Sequence, residues 1–214
     1  MNRSTEHLRL SLALALGLAL SACAGLDRKG TPEPTSDTET ETAPEVVKTP
    51  EERYAEAVAL LETNQFSDAQ QAFEALSQEV PEKSGPWTNL GLIHQRANRK
   101  AEALQAFATA VRLNPDNATA QNQLGILLRE GGDYAGARQA YEAALAARPD
   151  FAEAHLNLGL LLDNHLAGSD RAALEHYRRY LSLNGSEDLR VQVWIAEIEQ
   201  ALSADDARDD EGTP

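Results

Sequence analysis

Aromatic residues make up only 5% of the 214-residue chain, and there is a single cysteine, Cys23. One thiol can form neither an internal disulfide nor a cysteine-based zinc site. Segments rich in Val, Ile or Thr are few, which argues against strands. Alanine and leucine, both good helix formers, supply most of the 42% hydrophobic fraction. Positive charge is scarce as well: 19 Lys and Arg stand against 34 Asp and Glu, a formal net charge of -15. No basic stripe offsets the phosphate charge of nucleic acid, so nucleic acid is a poor partner. The acid excess reads as solubility. There is no Walker loop, nucleophile elbow, Gly-x-Gly-x-x-Gly or His-Glu-x-x-His, so the chain is expected not to be an enzyme and to need no cofactor or metal.

Long apolar runs are absent too. The N-terminal run, Leu10 to Leu20, follows a short basic start with Arg3 and Arg9. At about 1.5 Å per residue it is too short for a ~30 Å hydrocarbon core. This is the pattern of a secretory signal peptide. It ends in Leu20-Ser21-Ala22-Cys23, which resembles the bacterial lipobox. The resemblance implies cleavage after residue 22, a diacylglyceryl group on the Cys23 thiol and palmitate-type acylation of the new amine. Several acyl chains make a stable anchor, at ~0.8 kcal/mol per buried CH₂. Ala24 follows, where an aspartate is the usual inner-membrane retention signal in enteric-type bacteria. The expected location is therefore the periplasmic face of the outer membrane. Removal of Arg3, Arg9 and Glu6 leaves the mature chain one unit more negative. Anionic lipid repels such a body, so attachment must come from the lipid on Cys23.

Residues 23-50 comprise the lipidated Cys23 and a linker. The stretch Thr31 to Pro44 has almost no apolar residue and cannot bury enough surface to fold. From residue 51 the chain repeats itself. Ala69, Ala103 and Ala137 are spaced by 34, and Ala173 follows at 36. Four residues after each alanine comes an aromatic: Phe73, Phe107, Tyr141, Tyr177. Pro81, Pro115 and Pro149 then stop the helix, with Gly185 as substitute. Leu90-Gly91, Leu124-Gly125 and Leu158-Gly159 form a second series, also 34 apart. The glycines let two helices of a hairpin approach closely, and the aromatics are expected to fill the gap between neighbouring hairpins.

These spacings resemble the tetratricopeptide repeat (TPR), W-x₂-L-G-x₂-Y…A-x₃-F…A…P. Residues 84-117 match it most fully, through Trp87, Leu90, Gly91, Ala103, Phe107, Ala110 and Pro115. The resemblance implies an all-α solenoid of helical hairpins over about 51-203. Its repeats are 50-83, 84-117, 118-151 and 152-186, with a capping helix at 187-203. The first repeat is degenerate, with Ala57 where the glycine belongs. The fourth gains two residues around Asn164 to Ser169, and Tyr180 replaces a small residue, which is expected to loosen or reshape the last hairpin. Val191, Trp194, Ile195, Ile198 and Leu202 make one apolar stripe on the capping helix. Residues 204-214 read as a disordered acidic tail.

In this family the first helices line a concave groove, and an asparagine ladder there grips extended peptides. Asn89, Gln123 and Asn157 hold the corresponding position here, each two residues before a glycine. A carboxamide can pair with both groups of a peptide backbone. The same residue type also recurs there for structural reasons, and both readings stand at this point. Leu92, Gln95 and Arg96, with Ile126, Arg129 and Glu130, then Leu160 and Asp163, would tune specificity. Arg96 and Arg129 suit an acidic side chain or a C-terminal carboxylate, or equally a local carboxylate. His94 and His155 replace aromatics of the motif and read as packing variants rather than metal ligands. The function implied is an envelope adaptor that binds a partner peptide or helix. It is similar to pilotin-like repeat lipoproteins that serve secretin or type IV pilus assembly. Recruitment of peptidoglycan-processing enzymes or proteases, and a self-associating spacer, are the alternatives; the oligomeric state is open.

Overall fold

A computed structural model describes residues 47–185 and 187–211. The signal peptide, Cys23 and most of the linker lie outside the described residues. Among the described residues every regular element is an α-helix: α1 (Pro50–Glu62), α2 (Phe66–Glu79), α3 (Ser84–Arg96), α4 (Lys100–Leu113), α5 (Ala118–Glu130), α6 (Tyr134–Ala147), α7 (Ala152–His165), α8 (Asp170–Leu183) and α9 (Leu189–Glu211). Each odd-numbered helix from α1 to α7 packs chiefly on the even-numbered helix that follows it, and each hairpin packs on the next. This is the expected solenoid of four hairpins.

Local chemistry sets the helix limits. Thr49 and Glu52 form a capping box at the start of α1, with Pro50 in the first turn. Asn117 and Asp133 accept from the backbone N–H groups of Ala120 and Gly136 at the starts of α5 and α6. The turn inside each hairpin repeats as strictly as the helices do. Asn64, Asn98, Gly132 and Gly168 hold the left-handed conformation, with φ of 60°, 57°, 83° and 76°. Asparagine and glycine tolerate that region best. The two extra residues of the fourth repeat fall before Gly168, lengthening α7 and its turn while leaving the turn conformation intact.

The glycine and aromatic series meet one another. A Cβ on Gly91 would lie 2.5 Å from Phe107, one on Gly125 2.6 Å from Tyr141, and one on Gly159 2.7 Å from Tyr177. Each ring therefore fills the notch left by the glycine of its own hairpin, rather than only the gap to the next hairpin. In the first hairpin Ala57 takes the glycine's place, and Phe73 packs edge-on against Tyr54 at 5.5 Å.

The last helix covers the end of the array. Val191 and Ile198 are buried, and Trp194 lies 5.5 Å from the Tyr177 ring. Arg178 pairs with Glu199 at 2.6 Å. Tyr180 reshapes this end rather than loosening it: its hydroxyl donates to Asp188 at 3.3 Å, at the entry to α9, and accepts from Asn184 at 3.0 Å. The backbone of α9 is helical through Glu211, past the expected boundary at 203 into the segment read as a tail. No glycine or proline occurs between Leu189 and Glu211 to stop it earlier.

Candidate functional site

The candidate surface is the face built by the first helices α1, α3, α5 and α7. Its three predicted carboxamides do not behave alike. The Asn89 amide donates to the Tyr54 hydroxyl at 2.7 Å and to the Gly85 carbonyl at 3.1 Å. The Asn157 amide donates to Oδ1 of Asn122 at 3.0 Å. The bonds to Tyr54 and Asn122 run back to the first helix of the preceding repeat, so these donors join hairpin to hairpin. Gln123 is half-buried and makes no side-chain hydrogen bond among the described residues. It is the one rung whose carboxamide is uncommitted.

Leu92, Ile126 and Leu160 recur one repeat apart on this face and are all partly exposed. Leu92 rests on the cluster around Phe107, and Ile126 and Leu160 on the cluster around Tyr141 and Tyr177. In the polar series beside them, Gln95, Arg129 and Asp163, the last two lie against the aromatics Tyr141 and Tyr177. Tyr177 donates to Asp163 at 3.0 Å. Burial pushes the Tyr141 phenol up to about 12, against a smaller opposing pull from the neighbouring Arg129 guanidinium. Arg129 Nε and Tyr141 Oη are shielded from solvent, and neither has a hydrogen-bond partner among the described residues. Arg96 lies over the Phe66 ring at 4.2 Å, while Glu130 pairs with Lys100 at 2.7 Å.

The histidines sit in the packing. His155 holds the place of the motif tryptophan and donates through Nε2 to the Pro149 carbonyl at 3.0 Å. Its Nδ1 lies 2.9 Å from Nδ1 of His176. Burial lowers both pKa values, and that of His94. Among the described residues no three His, Cys, Asp or Glu side chains converge as a metal site, and no helix is long and apolar enough to cross a membrane.

Sequence reading missed Asn122, which is 2% exposed and holds Asn157. It also missed Tyr54, and Asn117, whose amide donates to Thr88 Oγ1 at 2.8 Å and Ser84 Oγ at 3.2 Å. The position that receives the ladder carries Tyr54, Thr88, Asn122 and Leu156 in successive repeats. A search for recurring residues passes over so variable a column.

Among solved structures, the chain is similar to Pseudomonas aeruginosa PilF, with a TM-score of 0.60 at 18% identity over 72% of this chain and 69% of that one. It is similar to a thermophilic TPR protein of Thermus thermophilus, with a TM-score of 0.54 at 23% identity over 72% and 82%. It is also similar to MamA, with a TM-score of 0.55 at 20% identity over 65% and 80%. At these identities the likeness concerns the fold alone. Comparison with curated protein sequences gives no match. A family model for the tetratricopeptide repeat matches residues 54–118, 88–149 and 122–188. With overlapping matches across every hairpin, the chain belongs to the tetratricopeptide repeat family.

Proposed function

We propose that this chain is a lipid-anchored adaptor of the cell envelope, held by Cys23 to the periplasmic face of the outer membrane, that binds a segment of a partner protein. The TPR fold supports a protein–protein interaction scaffold. One observation carries the site: the partly exposed row Leu92, Ile126 and Leu160, with the uncommitted Gln123 carboxamide beside it. An apolar row one repeat apart matches side chains along a peptide or helix, and a free carboxamide pairs with a backbone. Type IV pilus or secretin assembly is the setting that the sequence resemblance to pilotin-like lipoproteins implies.

The structure changes the test. Replacing Asn89 or Asn157 weakens the repeat interfaces, so the informative variant is Gln123→Ala with Leu92→Ser. Envelope extract is passed over the wild-type chain and this variant, both checked for helical circular dichroism. Loss of a partner from the folded variant supports the groove and names the pathway. Capture of the same proteins by both forms sinks it. Anchoring is tested separately by palmitate labelling of Cys23→Ala, which should carry no label and leave the membrane fraction. Leu189 and Val193, 72% and 53% exposed on α9, favour self-association as the second reading. Sedimentation of the wild-type chain without a partner decides that point.

A further inference from the structure

We propose that the cleft between the start of α2 and the end of α3 binds a carboxylate side chain of the partner polypeptide. The cleft has a volume of about 390 Å³ and is lined by Phe66, Ser67, Gln70, Ile93, Arg96 and Arg99. Two guanidiniums thus face one concavity in a chain of net charge -15. Acidic neighbours are plentiful: Lys48, Arg53, Lys100, Arg138, Arg178 and Arg190 are in ion pairs with them, while Lys83, Arg112, Arg129, Arg148 and Arg179 form none among the described residues. Arg96 and Arg99 form no ion pair among the described residues. Arg96 is spread over Phe66, and Arg99 donates to the Gln70 carbonyl oxygen at 2.7 Å. Arg99 Nε is shielded from solvent and has no hydrogen-bond partner among the described residues. Glu74, the nearby carboxylate on α2, accepts from the Gln70 amide at 2.6 Å.

The next repeat supplies an internal control. The equivalent cleft there, about 260 Å³, is lined by Lys100, Ala101, Leu104, Leu127, Glu130 and Gly131. A shift of 34 residues puts Glu130 where Arg96 stands and Asp133 where Arg99 stands. In that second cleft Lys100 and Glu130 pair with each other at 2.7 Å. The same concavity is therefore self-neutralised in one repeat and left positive in the other.

A guanidinium laid on an aromatic ring is held in one plane, with its edge N–H groups free for bidentate pairing with a carboxylate. The start of α2 adds backbone N–H groups, since Gln65 provides no side-chain cap. Apolar Phe66, Ile93 and Ala97 beside the charges suit an acidic residue with an apolar neighbour. That the partner is a polypeptide rests on the protein-binding reading above.

The test is fluorescence anisotropy on the full chain in detergent solution. Its probes are a fluorescein-labelled decapeptide alternating Glu and Leu and its Gln and Leu counterpart. The acidic peptide should bind at least about tenfold tighter, the effect of a charge-assisted hydrogen bond. Arg96→Gln with Arg99→Gln should bring the two peptides within about twofold while helical circular dichroism persists. If that double variant does not fold, Arg96→Glu alone should reverse the preference towards a Lys and Leu peptide. Equal binding of both peptides by the wild-type chain overturns the proposal, as does a preference that survives the arginine substitutions. Displacement of the acidic peptide by millimolar inorganic phosphate overturns it in favour of a free-anion site. The Gln123→Ala, Leu92→Ser variant is run in parallel. If it leaves peptide binding unchanged while the arginine variant abolishes the preference, the groove fails and this site stands. If it loses all peptides and the arginine variant does not, the groove stands and this site fails.

Discussion

Asn157 on α7 donates its side-chain amide to Asn122 on α5 at 3.0 Å, and Asn122 is almost wholly enclosed. The two are 35 residues apart, so the bond joins successive hairpins. A ladder position for which the sequence leaves ligand binding and a structural role both open here carries a hydrogen bond that joins two hairpins.

Asn122→Ala should therefore destabilise the chain by about 1–3 kcal/mol, because it leaves the Asn157 donor without its partner in a half-buried place. Asn157→Ala should cost a comparable amount by orphaning the enclosed Oδ1. In a double-mutant cycle the pair should show coupling of about 0.5–1.5 kcal/mol. Guanidinium denaturation of the four chains measures it. Additive losses would show that the two amides act independently.

Much of this fold is legible because one packing event recurs. Gly91, Gly125 and Gly159 must each admit a ring from the second helix, so both partners repeat and the period emerges from them. The hairpin turn was equally available, since Asn64, Asn98, Gly132 and Gly168 occupy one column. The commitments of Asn89 and Asn157 were not legible. They depend on what the preceding repeat offers, and Tyr54, Thr88, Asn122 and Leu156 share no chemistry. Nor was the His155–His176 contact, which pairs a substituted motif position with a surface-type position on another helix. The unpaired state of Arg96 depends on Phe66 and on which carboxylates are already engaged, so it too is a property of the packed array.

The ring in the glycine notch leads to a second prediction. Gly91→Ala places a methyl group 2.5 Å from a Phe107 ring that is fully buried and cannot swing away. Overpacking of this kind costs about 1–3 kcal/mol. Adding Phe107→Leu should recover part of that loss, making the double variant more stable than the sum of the two single losses. Thermal unfolding followed at about 222 nm, the helical band, reads the comparison. A Gly91→Ala chain as stable as wild type would mean that the helices part freely.

A third concerns acid. His155 Nε2 donates to the Pro149 carbonyl, so a neutral His155 accepts at Nδ1 and His176 must donate. A second proton on the pair would set two N–H groups head to head. Burial lowers both pKa values; at His155 the bond to the Pro149 carbonyl opposes it and Arg179 adds to it, and at His176 His155 itself adds to it while Glu175 and Glu142 oppose it. The unfolded chain takes up protons first, as pH falls through the ordinary histidine value of 6.5. The stabilisation is thus present above that pH and lost as pH drops through the lower folded values. The melting temperature should fall between about pH 7 and pH 5, and by less in His176→Leu. Equal slopes in the two chains would dismiss the pair as the cause.

The fourth prediction sets two tyrosines against each other. Tyr141 and Tyr177 occupy the same repeat position, and Phe107 fills it one hairpin earlier. The Tyr177 hydroxyl donates to Asp163 at 3.0 Å, whereas the Tyr141 hydroxyl has no partner among the described residues. Tyr177→Phe should therefore cost about 0.5–1.5 kcal/mol. Tyr141→Phe should be neutral or stabilising at neutral pH, because it removes a shielded hydroxyl that has no hydrogen-bond partner among the described residues. The alkaline limb separates them further. The Tyr141 phenol is pushed up to about 12, so the unfolded chain loses its proton first, from about pH 10. Stability from this group is complete below that pH and disappears as pH rises through about 12. Tyr141→Phe should shift alkaline unfolding to higher pH, seen as delayed loss of helical signal alongside the phenolate absorbance. If Tyr141→Phe instead weakens the chain at pH 7, the Arg129 guanidinium is bonding the hydroxyl after all, and Arg129 then belongs to the core of its hairpin and not to the binding face.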